Sequence, residues 1–221
     1  GSSTINGMVY IRGQSADYDG WRQLGLVGWG WDDVLPIFKS HEDHFAGDSE
    51  LHGAGGEWKI NQPRVSWEIL DAFVDAAEQA GIPRTSDFNT GDNEGCGYFH
   101  VNQVNGRRWS AARGVLSPAQ NRPNLTVITN ALVDRVILDG KTATGVVIRE
   151  NGRERELKAH GEVILSTGAV ASPAILERSG IGWGDLLFSL GIEVKHDLPG
   201  VGENLQDHLQ LRLIYKISGA P

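Results

Sequence analysis

The stretch VILSTGAVASPAILERSG, residues 163–180, decides the fold because it joins a short apolar run to a glycine and a helical pattern. Gly168 follows the apolar run, which has the length of a buried strand. Ser172 and Pro173 are residues typical of a helix start, and Gly180 is typical of a helix end. A strand, a glycine turn and a helix in this order are the local form of a dinucleotide-binding fold, where the helix N-terminus can face a phosphate.

Upstream of this stretch, short runs rich in β-branched residues alternate with turn signals. Asp139-Gly140 and Asn151-Gly152 are strong hairpin signals. The sequence therefore predicts a β-meander here. The predicted strands are Leu125–Thr129, Leu132–Leu138, Ala143–Arg149, Glu154–Ala159 and Glu162–Ser166.

Two helices are predicted in the N-terminal half of the chain. The first runs from about Asp32, as its N-cap, to Ser40. The second follows Ser66 as its N-cap and ends before Gly81. Its apolar stripe consists of Ile69, Leu70, Phe73, Val74 and Ala77.

The remaining segments carry weaker signals. Residues 84–124 look irregular, with a turn at Asn105-Gly106, and a further short helix is expected from about Asp185 to Leu190. Gly200-Val201-Gly202 lacks the third glycine of a dinucleotide fingerprint, so a turn is expected there.

Composition excludes several classes of protein. The chain has 221 residues and a formal charge of −8, with no basic stripe, which argues against nucleic acid as a partner. Arg107-Arg108 is the only pair of adjacent lysine or arginine residues in the sequence, and a solvated turn is expected there. The single cysteine, Cys96, excludes an internal disulfide. No apolar run approaches the ~20 residues of a membrane span, so no transmembrane segment is predicted, and the cytoplasm is the expected location.

No metal site is predicted. His41-Glu42-Asp43-His44 is the one run that suggests a metal, but its two histidines are not spaced i, i+4 on one helical face. A solvated helix end is therefore expected at this run. Asp207-His208 is expected to be structural, because adjacent side chains diverge on regular structure.

Three blocks of sequence follow one another in a characteristic order, with shorter ones between them at residues 107–114 (RRWSAARG) and 124–127 (NLTV). The main blocks are residues 1–13 (GSSTINGMVYIRG), 168–182 (GAVASPAILERSGIG) and 199–208 (PGVGENLQDH). Taken together, these ordered motifs resemble those of the glucose–methanol–choline (GMC) flavoprotein oxidoreductases. The resemblance covers essentially the whole chain.

This resemblance implies FAD as the cofactor. Asn6, Gly7, Met8 and Val9 match the family segment that runs beside the flavin ring with its backbone N–H groups. Val133 matches a position that contacts the adenine through its main chain. Ile5 stands where some family members carry a histidine bound covalently to FAD, so the resemblance implies non-covalent FAD.

The resemblance also implies a fold class, α/β with an α+β substrate part. It would comprise a portion of a Rossmann-like FAD-binding domain and part of an antiparallel-sheet substrate domain. Residues 1–13 and 120–182 would belong to the FAD-binding part, and residues 14–119 and 183–221 to the substrate part. The functional unit is expected to extend beyond both ends of this chain. No catalytic residue is assigned within it, because the family histidine would follow Pro221.

The implied reaction is oxidation of a choline-like or other primary alcohol to an aldehyde, with hydride transfer to flavin. The sequence does not identify the electron acceptor. Two alternatives stay open at this point. One is a non-catalytic flavin-binding module, and the other is a β-rich structural or interaction domain without a cofactor.

Overall fold

Two units make up the fold in the computed structural model, which describes residues 1–219. The first unit spans Gly1–Leu125 and includes residues 217–219. The second spans Thr126–Lys216. The assignment of segments to FAD-binding and substrate domains stays a prediction.

The first unit combines helices with short strand pairs. A 3-10 turn at Ser2–Thr4 precedes the first helix, and a π-helical turn at Ala112–Leu116 precedes the last. Strand β1 pairs with β2 in parallel, and β3 pairs with β4 antiparallel. In chain order the elements are α1 (Ser15–Gln23), α2 (Trp31–His41), β1 (Glu42–His44), β2 (Trp58–Ile60), α3 (Glu68–Gln79), β3 (Gln103–Val104), β4 (Arg107–Arg108) and α4 (Ser117–Ala119).

Val101 lies at the centre of this unit's backbone pairing. It forms antiparallel bridges with both Val9 and Asn61, so three distant segments meet at one residue. Ile60 beside this point is completely buried. The other buried apolar residues of the unit are Val34, Val74, Ala77, Phe88 and Val101.

Helix α2 confirms the predicted helix but not its cap. The N-cap is Gly30, whose N–H donates to the Asp33 carboxylate at 3.0 Å, whereas Asp32 lies inside the first turn. Helix α1 was not predicted at all. Its sign in the sequence is Gln14, whose N–H donates to the Asp17 carboxylate three residues later at 2.8 Å.

Helix α3 forms where predicted, and two features of its prediction are wrong. Its N-cap is Trp67 rather than Ser66, with no side-chain capping bond. Val74 and Ala77 of the apolar stripe are buried, but Phe73 is 57% exposed, so only part of the stripe packs within this unit.

The second unit is built on the three central strands of the predicted meander, which are confirmed. The strands β5 (Ala131–Asp139), β6 (Thr142–Glu150) and β7 (Arg153–Lys158) form one antiparallel sheet in chain order. The remaining elements are α5 (Gly168–Arg178), β8 (Ile181–Gly182), α6 (Gly184–Ser189) and β9 (His196–Asp197), with β8 parallel to β9. The unit's buried apolar residues are Val136, Val147, Ile148, Ile175 and Leu187.

Helix α5 starts five residues before the predicted helix start. It begins at Gly168 after Thr167, so Ser172 and Pro173 lie inside the helix. Gly180 follows its end with φ +86°, as predicted. Ser179 at the C-terminus ties the helix to the sheet, because its hydroxyl accepts the Val136 N–H at 2.8 Å.

Two predicted strands do not form. Residues 125–129 and 162–166 have no strand partner in the described part of the chain and are irregular. Ile164 is 78% exposed. An apolar run becomes a strand only when a neighbouring strand takes up its backbone hydrogen bonds, so these predictions are wrong for the structure described. Among the described helices, none has the length and apolar character needed to cross a membrane.

Candidate functional site

The Asn6–Val9 segment is an exposed turn held at one side by the chain around Val101. The Tyr10 N–H donates to the His100 carbonyl at 2.8 Å, and the Asn102 N–H donates to the Met8 carbonyl at the same distance. These two bonds flank Val9, whose own N–H and carbonyl point away from Val101 in this type of antiparallel bridge. The segment is therefore fixed at its end and open to solvent along its length.

Asn6 shapes this turn through its side chain. Its Oδ1 accepts the Met8 N–H at 3.1 Å, and Met8 adopts φ +64°, a left-handed conformation that is uncommon outside glycine. The N–H groups of Gly7 and Val9 have no partner within residues 1–219. A Cβ built on Gly7 meets no atom within 4 Å. The predicted FAD segment thus offers two free donors and open space.

Arg108 corrects the expectation of a solvated turn at the basic pair. Its Nη1 donates to Asn6 Oδ1 at 2.6 Å and to the Ser3 carbonyl at 3.3 Å, while Arg107 beside it is exposed. The Ala111 N–H adds a bond to Ser3 Oγ at 3.1 Å. Residues more than 100 positions downstream therefore hold the N-terminal turn.

Val133 lies in the second unit, on β5 opposite Ile148. The register shifts between Val133 and Arg135, so the strand is bulged at this point. Arg178 Nε donates to the Asp134 carbonyl at 2.7 Å beside the bulge. The structure thus brings Asn6, Gly7, Met8 and Val9 together in one turn and places Val133 in the other unit.

A buried charged cluster in the first unit was missed by sequence reasoning. Glu42 is fully buried and His44 is 6% exposed, so the expected solvated helix end is wrong. Helix α2 stops at His41, and the chain turns inward as β1. The cluster consists of Glu42, His44, His52, Asp87 and His100, and we call it the histidine–carboxylate cluster.

His52 is the centre of this cluster. Its Nδ1–H donates to Glu42 Oε1 at 2.8 Å and its Nε2–H donates to Asp87 Oδ2 at 2.7 Å, which requires an imidazolium. Burial alone would lower the pKa of His52, but the two carboxylates outweigh burial and raise it. Glu42 also accepts the Gly53 N–H at 2.9 Å. Burial alone would raise the pKa values of Glu42 and Asp87. The hydrogen bonds that they accept and the charge of His52 outweigh burial and lower both pKa values.

His44 and His100 are neutral. The Ala46 N–H donates to His44 Nδ1 at 3.3 Å, so His44 carries its proton on Nε2 and donates it to His100 Nδ1 at 3.3 Å. Burial, followed by the charge of His52, lowers the pKa of His44 to about 4. Burial also lowers the pKa of His100. Buried Arg12 lies near Glu42, so Arg12 and His52 balance Glu42 and Asp87 in charge.

Three members of the cluster have the spacing of metal ligands. One ligand atom from each of His44, His52 and Asp87 lies within 4.8 Å of the others. Each of these atoms already has a hydrogen-bond partner, and a metal would have to replace one His52 proton and break the hydrogen bond from that proton to a carboxylate. The arrangement acts chemically as an ion-pair network. That the protein holds no metal stays a prediction.

A glycine-rich loop positions His52 in the cluster. Its sequence is His52-Gly53-Ala54-Gly55-Gly56. A Cβ on Gly53 would lie 1.9 Å from the Lys39 carbonyl oxygen, and one on Gly56 would lie 2.2 Å from the His41 backbone. Only glycine permits this close approach to the end of α2. One histidine followed by three glycines within four positions is the sequence signal that marks the loop.

Comparisons with known proteins match the chain over almost its whole length. The model of the GMC oxidoreductases matches residues 1–210. This chain belongs to the GMC oxidoreductase family. The resemblance seen in the sequence is thereby confirmed.

Curated relatives in the GMC family include bacterial choline dehydrogenases. The oxygen-dependent choline dehydrogenase of Pseudomonas putida is 50% identical over 220 residues, which are 97% of this chain and 39% of the relative. That of Pectobacterium atrosepticum is 48% identical over 218 residues, with the same shares. The chain therefore spans about two fifths of the length of these relatives.

Solved structures of similar fold include two oxidoreductases. Pyridoxine 4-oxidase from Mesorbium loti has a TM-score of 0.83 at 36% identity, covering 90% of this chain and 39% of that one. An FAD-dependent oxidoreductase from Chaetomium thermophilum has a TM-score of 0.85 at 32% identity, covering 90% and 37%. These similarities, together with the mixture of helices and small antiparallel sheets, confirm the predicted fold class.

Proposed function

We propose that the protein containing this chain is an FAD-dependent oxidoreductase that oxidises the CH–OH group of an alcohol to the aldehyde. The observation that carries the proposal is the 50% identity to a choline dehydrogenase across 97% of the chain. When bound, FAD would supply the hydride acceptor. This chain would contribute part of the cofactor's surroundings, and no catalytic residue is assigned within it.

The Asn6–Val9 segment fits a flavin on its own chemistry. Its free Gly7 and Val9 N–H groups are donors suited to the polar edge of a flavin ring, and Gly7 leaves space for close approach. Ile5 has no nucleophilic atom, which supports non-covalent FAD. Val133 would contact the adenine through its main chain, in the second unit.

Choline-like and other primary alcohols are the proposed substrates, on the strength of the choline dehydrogenase relatives. A quaternary ammonium substrate would favour aromatic or acidic pocket walls. The electron acceptor stays unassigned.

Flavin reduction in the complete protein tests the proposal. The purified protein should show a flavin absorption spectrum, and anaerobic choline or another primary alcohol should bleach it. Tetramethylammonium, a cation of similar size without a hydroxyl, is the matched control and should leave the spectrum unchanged. A protein without flavin, or a flavin that no primary alcohol reduces, would contradict the proposal.

A further inference from the structure

Arg108 reaches from a hairpin strand to the N-terminal turn that the proposed function places beside the flavin. Its Nη1 serves two acceptors at once, Asn6 Oδ1 at 2.6 Å and the Ser3 carbonyl at 3.3 Å. The first is short even for a charge-assisted hydrogen bond. The guanidinium is half-buried, and no carboxylate of the described residues forms a salt bridge with it. Its polar contacts are therefore those to the N-terminal turn.

The acceptor on Asn6 also holds the Met8 N–H. One oxygen thus receives a hydrogen bond from Met8 at 3.1 Å and a second from Arg108. The first bond closes the turn in which Met8 takes its uncommon left-handed φ. The second fixes the rotamer of Asn6 that makes the first one possible. Arg108 therefore acts on the Met8 backbone through Asn6.

A second contact from the same stretch prevents the turn from pivoting. The Ala111 N–H donates to Ser3 Oγ at 3.1 Å, three positions after Arg108. Residues 108–111 thus hold the preceding 3-10 turn, at Ser3, and the start of the Asn6–Val9 turn, at Asn6. Within residues 1–219, this arrangement leaves the N–H groups of Gly7 and Val9 without a hydrogen-bond partner.

We propose that Arg108 is a positioning residue for the flavin, which fixes the Asn6–Val9 turn so that the Gly7 and Val9 N–H groups are presented to the bound ring. The proposal rests on the proposed function, since it assumes that the complete protein binds FAD. Arg108 itself does not have to touch the cofactor. Its effect passes through Asn6, which loses a fixed orientation when the guanidinium is removed.

Arg108→Met tests the proposal, because methionine keeps an unbranched side chain and removes every donor. Arg107→Met is the matched control, since Arg107 is the exposed neighbour on the same strand and carries the same charge. FAD is removed from the complete protein and the dissociation constant is measured by titration. We expect Arg108→Met to weaken FAD binding at least tenfold, and Arg107→Met to leave it within twofold.

Two further readouts separate positioning from general stability. The visible circular dichroism of the bound flavin should change in Arg108→Met, and Arg108→Lys, which keeps one donor, should recover part of both affinity and signal. The melting temperature of the FAD-free form should stay close to that of the unchanged protein. In a double-mutant cycle, Asn6→Ala and Arg108→Met should be less than additive, because both remove the same contact.

The outcomes distinguish this inference from the proposed function. A complete protein that binds no FAD overturns the proposed function. A protein that binds FAD normally, and whose Arg108→Met variant keeps both affinity and flavin dichroism, overturns the positioning role alone. If Arg108→Met does not fold, an Arg108→Lys variant with unchanged affinity and dichroism, together with an unaffected Asn6→Ala variant, has the same meaning.

Discussion

The imidazole of His44 stacks on that of His52, with ring centroids 3.9 Å apart and planes 19° from parallel. The two rings differ in protonation state, because His52 is an imidazolium between Glu42 and Asp87 whereas His44 is neutral. The charge of His52 is one of the reasons why the pKa of His44 falls to about 4. The charge on His52 therefore makes the protonation of His44 to an imidazolium less favourable.

Stability of the first unit should be greatest near pH 6.5. Free histidine has a pKa of about 6.5. As pH falls from about 6.5 toward 4, the unfolded chain binds a proton that folded His44 does not bind, so stability falls by up to ~1.4 kcal/mol per pH unit. His100, whose pKa is also lowered by burial, adds to this loss. As pH rises through the raised pKa of folded His52, its contribution is lost as well. Chemical denaturation of the complete protein at a series of pH values measures this dependence. We call the fall in stability below pH 6.5 the acid flank and the fall above it the alkaline flank.

Single substitutions separate the two flanks. His44→Gln should make the acid flank shallower while the alkaline flank remains, because His52 still carries its proton. His52→Gln should remove the alkaline flank and cost about 3–5 kcal/mol, since two carboxylates lose their buried partner. If the pH profile of His44→Gln keeps the original acid slope, the assignment of that flank to His44 is wrong.

Gly53→Ala should destabilise the protein by about 1–3 kcal/mol or more. Its Cβ would lie 1.9 Å from the Lys39 carbonyl oxygen, so the loop has to move, and the Gly53 N–H bond to Glu42 would lengthen. Gly20→Ala is the control, because Gly20 lies inside α1 with no atom within 4 Å of an added Cβ. That change should stabilise by about 0.5–1 kcal/mol. Equal melting temperatures for the two variants would count against the close approach.

Gly7→Val should reduce flavin occupancy with little effect on folding. An added Cβ meets no protein atom within 4 Å, so the FAD-free protein should melt almost normally. A bound ring would meet the new side chain, and displacement of one donor typically costs about 2.7–4 kcal/mol in a catalytic setting. Gly161→Val, equally free of contacts, is the control and should keep its flavin. Normal occupancy and turnover in Gly7→Val would show that the turn does not contact the ring.

FAD should be released from the complete protein by acid precipitation. The expectation follows from Ile5, whose side chain has no atom able to form a covalent bond to the flavin. The yellow colour should remain in the supernatant and elute as unmodified FAD. Flavin in the washed pellet would mean attachment through another residue.

Turns that depend only on neighbouring residues were predicted correctly from the sequence. Asn105 and Asn151 have φ of +49° and +51°, each followed by a glycine with positive φ, so both turns follow from backbone sterics alone. Asp139-Gly140 was placed correctly within one residue, because the loop residues are Gly140 and Lys141. The turns at Gly140-Lys141 and Asn151-Gly152 fix the meander, and the turn at Asn105-Gly106 joins β3 to β4.

Features that depend on distant residues were missed. The buried cluster is made by three separate segments, which carry Glu42, His52 and Asp87. These polar side chains can be buried only because the fold brings them together as hydrogen-bond partners. Arg108 looked solvated because its acceptor on Asn6 lies 102 positions away. The family resemblance predicts that backbone N–H groups of the Asn6–Val9 segment face the flavin. It does not predict that Arg108 fixes this segment through Asn6.

The meander of β5, β6 and β7 has a consequence for the order of folding. Its strands are joined by two-residue turns, so each hairpin can close in about 1–10 μs. The bridge between Val9 and Val101 instead requires closure of a loop of about 90 residues, which costs more chain entropy and takes longer. We therefore expect the sheet to form early and the Asn6–Val9 turn to be among the last parts of the chain to assemble, so that newly made protein passes through a period in which it is largely folded but not yet able to accept its cofactor.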